Sequence, residues 1–365
     1  MRKKTRIAIL YNEPVVGTDE GRKYISENGQ LKEGLAISGI GGKASGIPAG
    51  VDLSEIGVVE EMDDIKDALT TLGFKCMVFN VDSKVERLID FLREEKPDLI
   101  FNLVECIENE AILEMNVAGL YELFKIPYTG AGPLALGTAL NKPRVKEILY
   151  ANGIRTPGHQ VFKVAEKIVL KDGMDYPLIV KPSREDASVG ISDKSVVYSL
   201  PELRKLVRYI WAEFDQPALV EQYIEGREFN VAILGNKRPI VLPISEIDFS
   251  GLTPGMHKIV SYAAKWMNGT VEYEGTKGVC PAQLPAAIET ELRETALKCY
   301  QLIGCRDYAR VDFRLTTDGV PYVLEVNPNP DISDDAGFAR SARVYGLSFH
   351  QIVGKIVEIA LERAQ

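Results

Sequence analysis

The first hundred residues change their hydrophobic period in a set order, and that order limits the fold more than any other feature of the chain. RIAIL (6–10) is a short apolar run rich in β-branched residues. VVEEMDDIKDALTTLGF (58–74) carries apolar residues at helical spacing and stops at a glycine. KCMVFNV (75–81) reads as a strand, KVERLIDFLREEK (84–96) as a helix and PDLIFNLV (97–104) as a strand again. Parallel strands need long crossovers, which helices supply, so this β-α-β-α-β order predicts a small parallel sheet with helices on its faces. EAILEMNVAGLYELFKI (110–126) adds a helix, and IPYTGAG (126–132) closes the unit. Residues 12–57 interrupt the pattern and contain GIGGKASGIPAG. An excursion that long is functional or disordered. Its glycines are a weak phosphate signal, and a mobile surface loop is the plainer reading.

The remainder is organised differently. NKPRVKEILYANGI (141–154) reads as a helix with Pro143 in its first turn. YPLIVKPS (176–183) is strand-like and PELRKLVRYIWAEF (201–214) helical. PALVEQYI (217–224) and EFNVAILGN (228–236) are strands, the second ending in a Gly235-Asn236 turn. Residues 285–304 form a helix. YARVDFRLTTDGVPYVLEVN (308–327) is a hairpin of two alternating strands joined at Asp318-Gly319, and the end of the chain is an amphipathic helix. The 365 residues suffice for two or three domains at roughly 100 to 200 residues each. The fold class is therefore α/β, with an α+β C-terminal part.

Charge and composition exclude several function classes. A net charge of −9 argues against nucleic acid or an anionic membrane as the main partner, because both need a basic face. No apolar run approaches the roughly 18 residues that span a bilayer, and the run after MRKKTR is too short for a signal sequence. The five cysteines show no C-x-x-C pairing and the three histidines are scattered. Reduced thiols in a cytoplasmic protein without a zinc site are expected.

Three stretches carry candidate chemistry. In the hairpin, Asp312 precedes the turn and Glu325 and Asn327 follow it, so the ladder should bring Asp312 and Glu325 together while Glu325 and Asn327 share a face. Three oxygen donors then converge, a set suited to Mg²⁺ shared with substrate phosphate and water. The alternative is a salt-bridged hairpin end; Arg310, two residues from Asp312 on the same face, favours the metal. In LIVKPSREDASVGIS (178–192), a lysine ends an apolar strand and a glycine-ended polar loop follows. Lys181 can supply an ammonium, and Ser188, Val189 and Gly190 a loop, around phosphates. In VEQYIEGREFNVAIL (220–234), Glu221 and Glu228 sit at the ends of apolar runs, where one carboxylate can accept from an adenine amine and the other from ribose hydroxyls; surface charge at strand ends is the alternative.

Together with IPYTGAGPLALGTALNK, ARVDFRL and LEVNPNP, these stretches resemble the ATP-grasp superfamily, and within it the D-alanine–D-alanine ligase branch, over nearly the whole chain. The resemblance implies a Rossmann-like N-terminal domain (1–140), a small central domain (141–215) and a C-terminal domain (216–365), with ATP between the last two. It implies that Lys142 and Lys181 contact the nucleotide phosphates, beside the loop that contains Ser188 and Gly190. Glu221 would read adenine, with Ile224 beside it, and Glu228 would bind ribose. Asp312, Glu325 and Asn327 would hold two magnesium ions. Arg310 would stabilise the tetrahedral intermediate, and Lys265 would reach the γ-phosphate from a large lid loop. The implied reaction phosphorylates a substrate carboxylate and passes the acyl phosphate to an amine. The implied partners are small carboxylate and amine substrates, amino acids or their derivatives, and the resembling ligases are usually homodimers.

The nucleotide half of the pattern is intact and the amino-acid half is not. YNEPVVGTDEGR stands where the family has a His-Gly-Gly segment with an ammonium-binding glutamate, leaving Glu13 as the substitute. NLVECIENEA replaces the family's His-Gly-x-x-Gly-Glu-Asp-Gly. Ala187 stands for a serine, Trp266 for the tyrosine after the lid lysine, and Asp331 and Ala336 for a glycine and a serine of the tail. These changes break the Glu–Ser–Tyr set that closes the lid over D-alanine, and NPDISDD brings three carboxylates to where an amino acid's carboxylate would dock. The expectation is therefore an ATP-dependent carboxylate–amine ligase whose acceptor is not D-alanine but a cationic or larger amino compound. The competing readings are a true D-alanine–D-alanine ligase, and a nucleotide-binding protein or carboxylate kinase without ligase activity.

Overall fold

A computed structural model of the chain describes residues 5–13, 15–16, 23–24, 53–108, 110–334 and 336–364. They fall into two units, residues 1–129 with 349–365, and residues 130–348.

The first unit opens with β1 (Arg6–Tyr11), in which Ile7, Ala8, Ile9 and Leu10 are fully buried. A two-residue ribbon follows, β2 (Val15–Val16) against β3 (Lys23–Tyr24). Next come α1 (Leu53–Thr71), β4 (Lys75–Asn80), α2 (Val85–Glu95), β5 (Leu99–Leu103) and α3 (Glu114–Leu123). The strands make the parallel sheet that the alternation predicts, in the order β4-β1-β5. β1 is apolar on both faces because it is central and covered on both sides. On α2, Leu88 and Leu92 are one turn apart and both buried. After α1, Gly73 takes φ +89° and faces open space, so conformation rather than room asks for glycine there. The GIGGKASGIPAG stretch lies outside the described residues.

The second unit holds two sheets. It begins with α4 (Pro133–Leu140) and α5 (Lys142–Ala151), whose N-cap Asn141 accepts from the Arg144 amide at 3.2 Å. Then come β6 (His159–Phe162), β7 (Leu178–Pro182), β8 (Val196–Val197), α6 (Leu200–Phe214) and β9 (Ala218–Gln222). These strands form an antiparallel sheet in the order β6-β9-β7-β8. Phe162, Leu178, Val180, Ala218 and Val220 face Leu203, Val207 and Ile210 of α6. By the two-residue alternation of a strand, Lys181 and Glu221 project from the opposite face.

The other sheet is built from β10 (Arg227–Leu234), β11 (Ile240–Val241) and β12 (Ser245–Asp248). The short helices α7 (Tyr262–Trp266) and α8 (Val271–Glu274) precede β13 (Lys277–Val279), α9 (Ala286–Ile303), β14 (Tyr308–Leu315) and β15 (Pro321–Asn327). The order is β13-β12-β10-β14-β15, with β11 also on β10, and every ladder is antiparallel. Phe229, Val231, Ile233, Val311, Phe313 and Val326 pack on Leu292, Ala296 and Cys299 of α9. The alternate residues of the same strands form the other face, and that face carries the site. After α10 (Gly337–Tyr345), α11 (Phe349–Ala364) packs on α1 and so belongs to the first unit. The division expected from sequence puts this helix with residues 216–365; its apolar stripe of Ile352, Val353, Ile356 and Val357 is instead buried in the N-terminal unit.

Candidate active site

One row of side chains crosses the polar face of the larger sheet. Glu228 and Asn230 of β10 stand opposite Arg314 and Asp312 of β14, and Asp312 and Arg310 stand opposite Glu325 and Asn327 of β15. The hairpin therefore has the register its sequence predicts. The register slips by one just past Asp312, where Phe313 pairs with Val323, so Leu324 has no partner across the ladder. That bulge keeps Val323 and Val326 in the core while Glu325 and Asn327 stay on the polar face.

Asp312 is the centre of the row. Its Oδ1 accepts from Arg310 Nε at 2.8 Å and Asn230 Nδ2 at 2.7 Å, and its Oδ2 accepts from Arg310 Nη2 at 3.0 Å and Asn327 Nδ2 at 2.9 Å. The bidentate grip fixes the plane of the guanidinium, and although burial disfavours its charge, Asp312 and Glu325 hold Arg310 firmly protonated. Glu325 faces Lys142 Nζ at 2.9 Å. Burial pushes its carboxyl up, but Lys142, Lys181 and Lys265 outweigh burial and hold it at about 2. Glu325 is thus ionised at any physiological pH. Among the described residues, no three His, Cys, Asp or Glu side chains gather as a metal cage. Two carboxylates and a carboxamide are hard oxygen donors and fit a magnesium ion held jointly with phosphate and water.

The lysines form a second layer. Lys142, at the start of α5, ion-pairs with Asp186 Oδ1 at 2.7 Å as well as with Glu325, and donates to the Glu185 carbonyl. Burial pulls its ammonium down, and Asp186 and Glu325 more than restore it, above the ordinary lysine range. Lys181 ion-pairs with Glu221 Oε2, and Lys146 with Glu221 Oε1. Glu221 and Lys146 are each only 1 % exposed. Burial pulls Lys181 down to about 8. Glu228 pairs with Arg314 Nη2 at 2.7 Å; burial nonetheless raises its pKa, as does the Asp312 charge.

Two loops meet above this face. The 184–192 loop turns through left-handed backbone at Ala187, Ser188 and Gly190. A Cβ at Gly190 would come within 2.8 Å of Pro182 Cγ and 2.9 Å of Phe214 Cζ, so glycine is required there for both conformation and space. Ser188 Oγ donates to the Val260 carbonyl at 2.8 Å, the Tyr262 amide donates to Ile191 O at 2.9 Å, and Trp266 Nε1 donates to the Ala187 carbonyl at 3.0 Å. Ala187 and Trp266, both departures from the resembling pattern, are thus bonded directly to each other. Lys265 lies on α7 in this second loop. Its pKa is lowered by burial and by Arg310, while Glu325, Asp312 and Asp186 oppose the shift.

The structure brings Lys142, Lys181, Glu221, Glu228, Lys265, Arg310, Asp312, Glu325 and Asn327 into one charged network. Ser188 and Gly190 sit in the loop above it, and Ile224 lies on the connector from β9 to β10. Glu221 is buried between Lys146 and Lys181. The tail carboxylates are partly spent locally: Asp331 Oδ1 accepts from the Ser333 amide at 2.8 Å and hydroxyl at 2.6 Å, and Asp334 pairs with Arg343 at 2.6 Å. Asp335 is outside the described residues. Ala336 is the N-cap of α10 and offers it no side-chain bond. In the first unit, Glu13 follows β1, its Oε1 accepting from Tyr11 Oη at 3.2 Å.

Four site residues escaped the sequence reading, and three of them had a periodic signal. Asn230 is two residues after Glu228 and Arg314 two after Asp312 on the same strand faces. Lys146 is one helical turn after Lys142. Asp186 lies in the loop already singled out, where no spacing marks it.

Comparisons with known proteins bear on the family and the fold. The family model described as "D-ala D-ala ligase C-terminus" matches residues 153–358. An uncharacterized protein of Sinorhizobium fredii, y4sG, is 33% identical over 308 residues, covering 82% of this chain and 87% of its own. A D-alanine–D-alanine ligase of Carboxydothermus hydrogenoformans is 32% identical over 311 residues, covering 83% and 93%. The crystal structure of a D-alanine–D-alanine ligase from Bacillus anthracis complexed with ATP superposes with a TM-score of 0.71 over 99% of this chain and 98% of that one, at 21% identity.

Proposed function

The chain belongs to the D-alanine–D-alanine ligase family, has its ATP-grasp fold and is an ATP-dependent, ADP-forming carbon–nitrogen ligase; from that premise we propose that it joins a small carboxylate to an amine other than D-alanine through an acyl phosphate. The observation that carries the reading is the row Arg310–Asp312–Glu325–Asn327 on one sheet face, with Lys142 ion-paired to Glu325.

In this reading Lys142 and Lys181 bind the nucleotide phosphates, backbone amides of the 186–190 loop cradle them, and Lys265 comes down on the γ-phosphate. Glu221 accepts from adenine next to Ile224, and Glu228 from ribose. Asp312, Glu325 and Asn327 would hold magnesium, which when bound offsets charge on the transferring phosphoryl group. The substrate carboxylate attacks the γ-phosphorus and ADP leaves. The amine then attacks the acyl carbon and phosphate departs. Arg310, with two nitrogens committed to Asp312, turns its third toward the developing oxyanion. The paired 184–192 and 256–270 loops exclude water, which would otherwise hydrolyse the acyl phosphate. In this reading the protein acts in the cytoplasm, where its free cysteines would stay reduced.

The acceptor is argued from the lid and the tail. Trp266 bonds to Ala187 in place of the serine and tyrosine that close over D-alanine in the resembling pattern, and Asp331 lies close enough to influence Arg310. Because Asp331 and Asp334 are engaged locally, a larger amino compound is favoured over a cationic one. The second reading, D-alanine itself, is favoured by relatives that carry that name across most of the chain. An ADP-release assay with D-alanine, amino acids, dipeptides and polyamines, followed by product analysis, separates the readings. Amide formed with a compound other than D-alanine is expected. Efficient turnover with D-alanine alone would overturn the proposal, and ADP release without amine consumption would point to a carboxylate kinase.

A further inference from the structure

Lys146 is not part of the nucleotide-binding scheme above, yet it is among the most deeply placed charges in the protein. It projects from α5 with 1 % exposure. Its ammonium is ion-paired with Glu221 Oε1 and donates to Thr156 Oγ1 at 3.0 Å and to the carbonyl of Leu324 at 3.4 Å. Leu324 is the residue that the bulge in β15 leaves without a cross-strand partner. Lys146 therefore ties α5, the 154–158 connector, β9 and the metal-proposed hairpin to one point. An ammonium taken out of water costs several kcal/mol unless its partners repay it. Burial and the neighbouring Lys181 charge both push Lys146 below its ordinary pKa. A cation kept in such a place needs a reason beyond packing, which an apolar side chain would serve better.

The reason lies in Glu221. Its two oxygens are divided, Oε1 to Lys146 and Oε2 to Lys181. A carboxylate with one lysine partner can rotate and chelate it with both oxygens. With a second lysine holding Oε1, the carboxylate plane is fixed, and each oxygen keeps a lone pair for another donor. We propose that Lys146 is a positioning residue that locks the Glu221 carboxylate for recognition of the adenine amine and prevents it from chelating Lys181. The inference rests on the reading of Glu221 as the adenine acceptor.

The test compares Mg-ATP with Mg-ITP, whose base lacks the exocyclic amine, by calorimetric affinity in the full-length wild type and in Glu221→Gln, Lys146→Met, Lys146→Arg and Thr156→Val. One hydrogen bond to a carboxylate predicts that the wild type prefers ATP by about tenfold or more. Lys146→Met should bring that ratio within about threefold, and Lys146→Arg should restore most of it. A residue that only supports the fold would lower the melting temperature and weaken both nucleotides equally. Wild-type discrimination in Lys146→Met overturns the inference. Should that variant not fold, Thr156→Val decides, because it loosens the ammonium and keeps its charge: a reduced ratio supports the lock and a wild-type ratio overturns it. If the wild type itself does not discriminate, or Glu221→Gln discriminates as well as wild type, the adenine role of Glu221 falls and this inference with it.

Discussion

Lys181 gives the sharpest prediction, because one substitution should change two observables in opposite directions with pH. Burial holds its ammonium at about 8, against an ordinary lysine value of 10.5. Phosphate needs the charged form. Below pH 8 that form is present, and as pH rises through 8 it is lost, so Mg-ATP affinity should be flat from pH 7 to 8 and then fall about tenfold per unit, or about 1.4 kcal/mol. Stability of the nucleotide-free protein should move the other way. A lysine whose folded pKa is depressed costs free energy while charged, and the unfolded chain binds the extra proton between pH 8 and 10.5. The difference of about 2.5 units corresponds to roughly 3 kcal/mol of strain, relieved progressively over that window. Comparing wild type with Lys181→Met cancels the titrating groups remote from Lys181; of its neighbours, Lys146 moves back up once the Lys181 charge is gone. Calorimetry from pH 7 to 9.5 should show the alkaline loss of affinity in wild type and a low, flat affinity in the variant. Urea unfolding should show the variant's stability advantage shrinking above pH 8. An affinity loss that persists in Lys181→Met, or a wild-type affinity flat to pH 9.5, would refute the assignment.

Two other positions test the loops. Gly190→Ala combines a left-handed φ of +74° with contacts under 3 Å to Pro182 and Phe214, and should cost about 2 to 4 kcal/mol in urea unfolding; a loss below 1 kcal/mol, on the order of a surface change, would show that the loop relaxes freely. Trp266→Phe keeps an aromatic ring and removes the bond to Ala187, worth about 1 kcal/mol, so the share of ADP released without amide should rise about fivefold. An unchanged share would mean that this bond does not help to exclude water.

The sequence carried the site further than it carried the fold around it. The alternation in ARVDFRL and YVLEVN was enough to place Arg310, Asp312, Glu325 and Asn327 on one face, because a strand's period leaves only two faces and the core takes one. The Leu324 bulge was not legible, since nothing in YVLEVN marks an extra residue. β12 (Ser245–Asp248) and β13 (Lys277–Val279) were missed because SEID and KGV are short edge strands that bury too little for an apolar pattern. The same is true of β6, whose HQVF joins a sheet through partners distant in sequence. The side on which α11 packs depends on a contact with α1, nearly three hundred residues away in the chain, and no local period encodes it. The mutual bond of Trp266 and Ala187 shows the limit from the other direction: each read as a loss when taken alone, and only the fold reveals that they meet.

The central claim is that Asp312, Glu325 and Asn327 hold magnesium against an adenine nucleotide. Calorimetric titration of the folded protein with ATP, in magnesium and then in a chelator, tests it most directly, with Glu325→Gln alongside. The account predicts tight association that depends on magnesium and is weakened about a hundredfold in the variant, which still folds cooperatively at a melting temperature lowered by the lost Lys142 ion pair. Association that is equal with and without magnesium, or equal in wild type and Glu325→Gln, would contradict it.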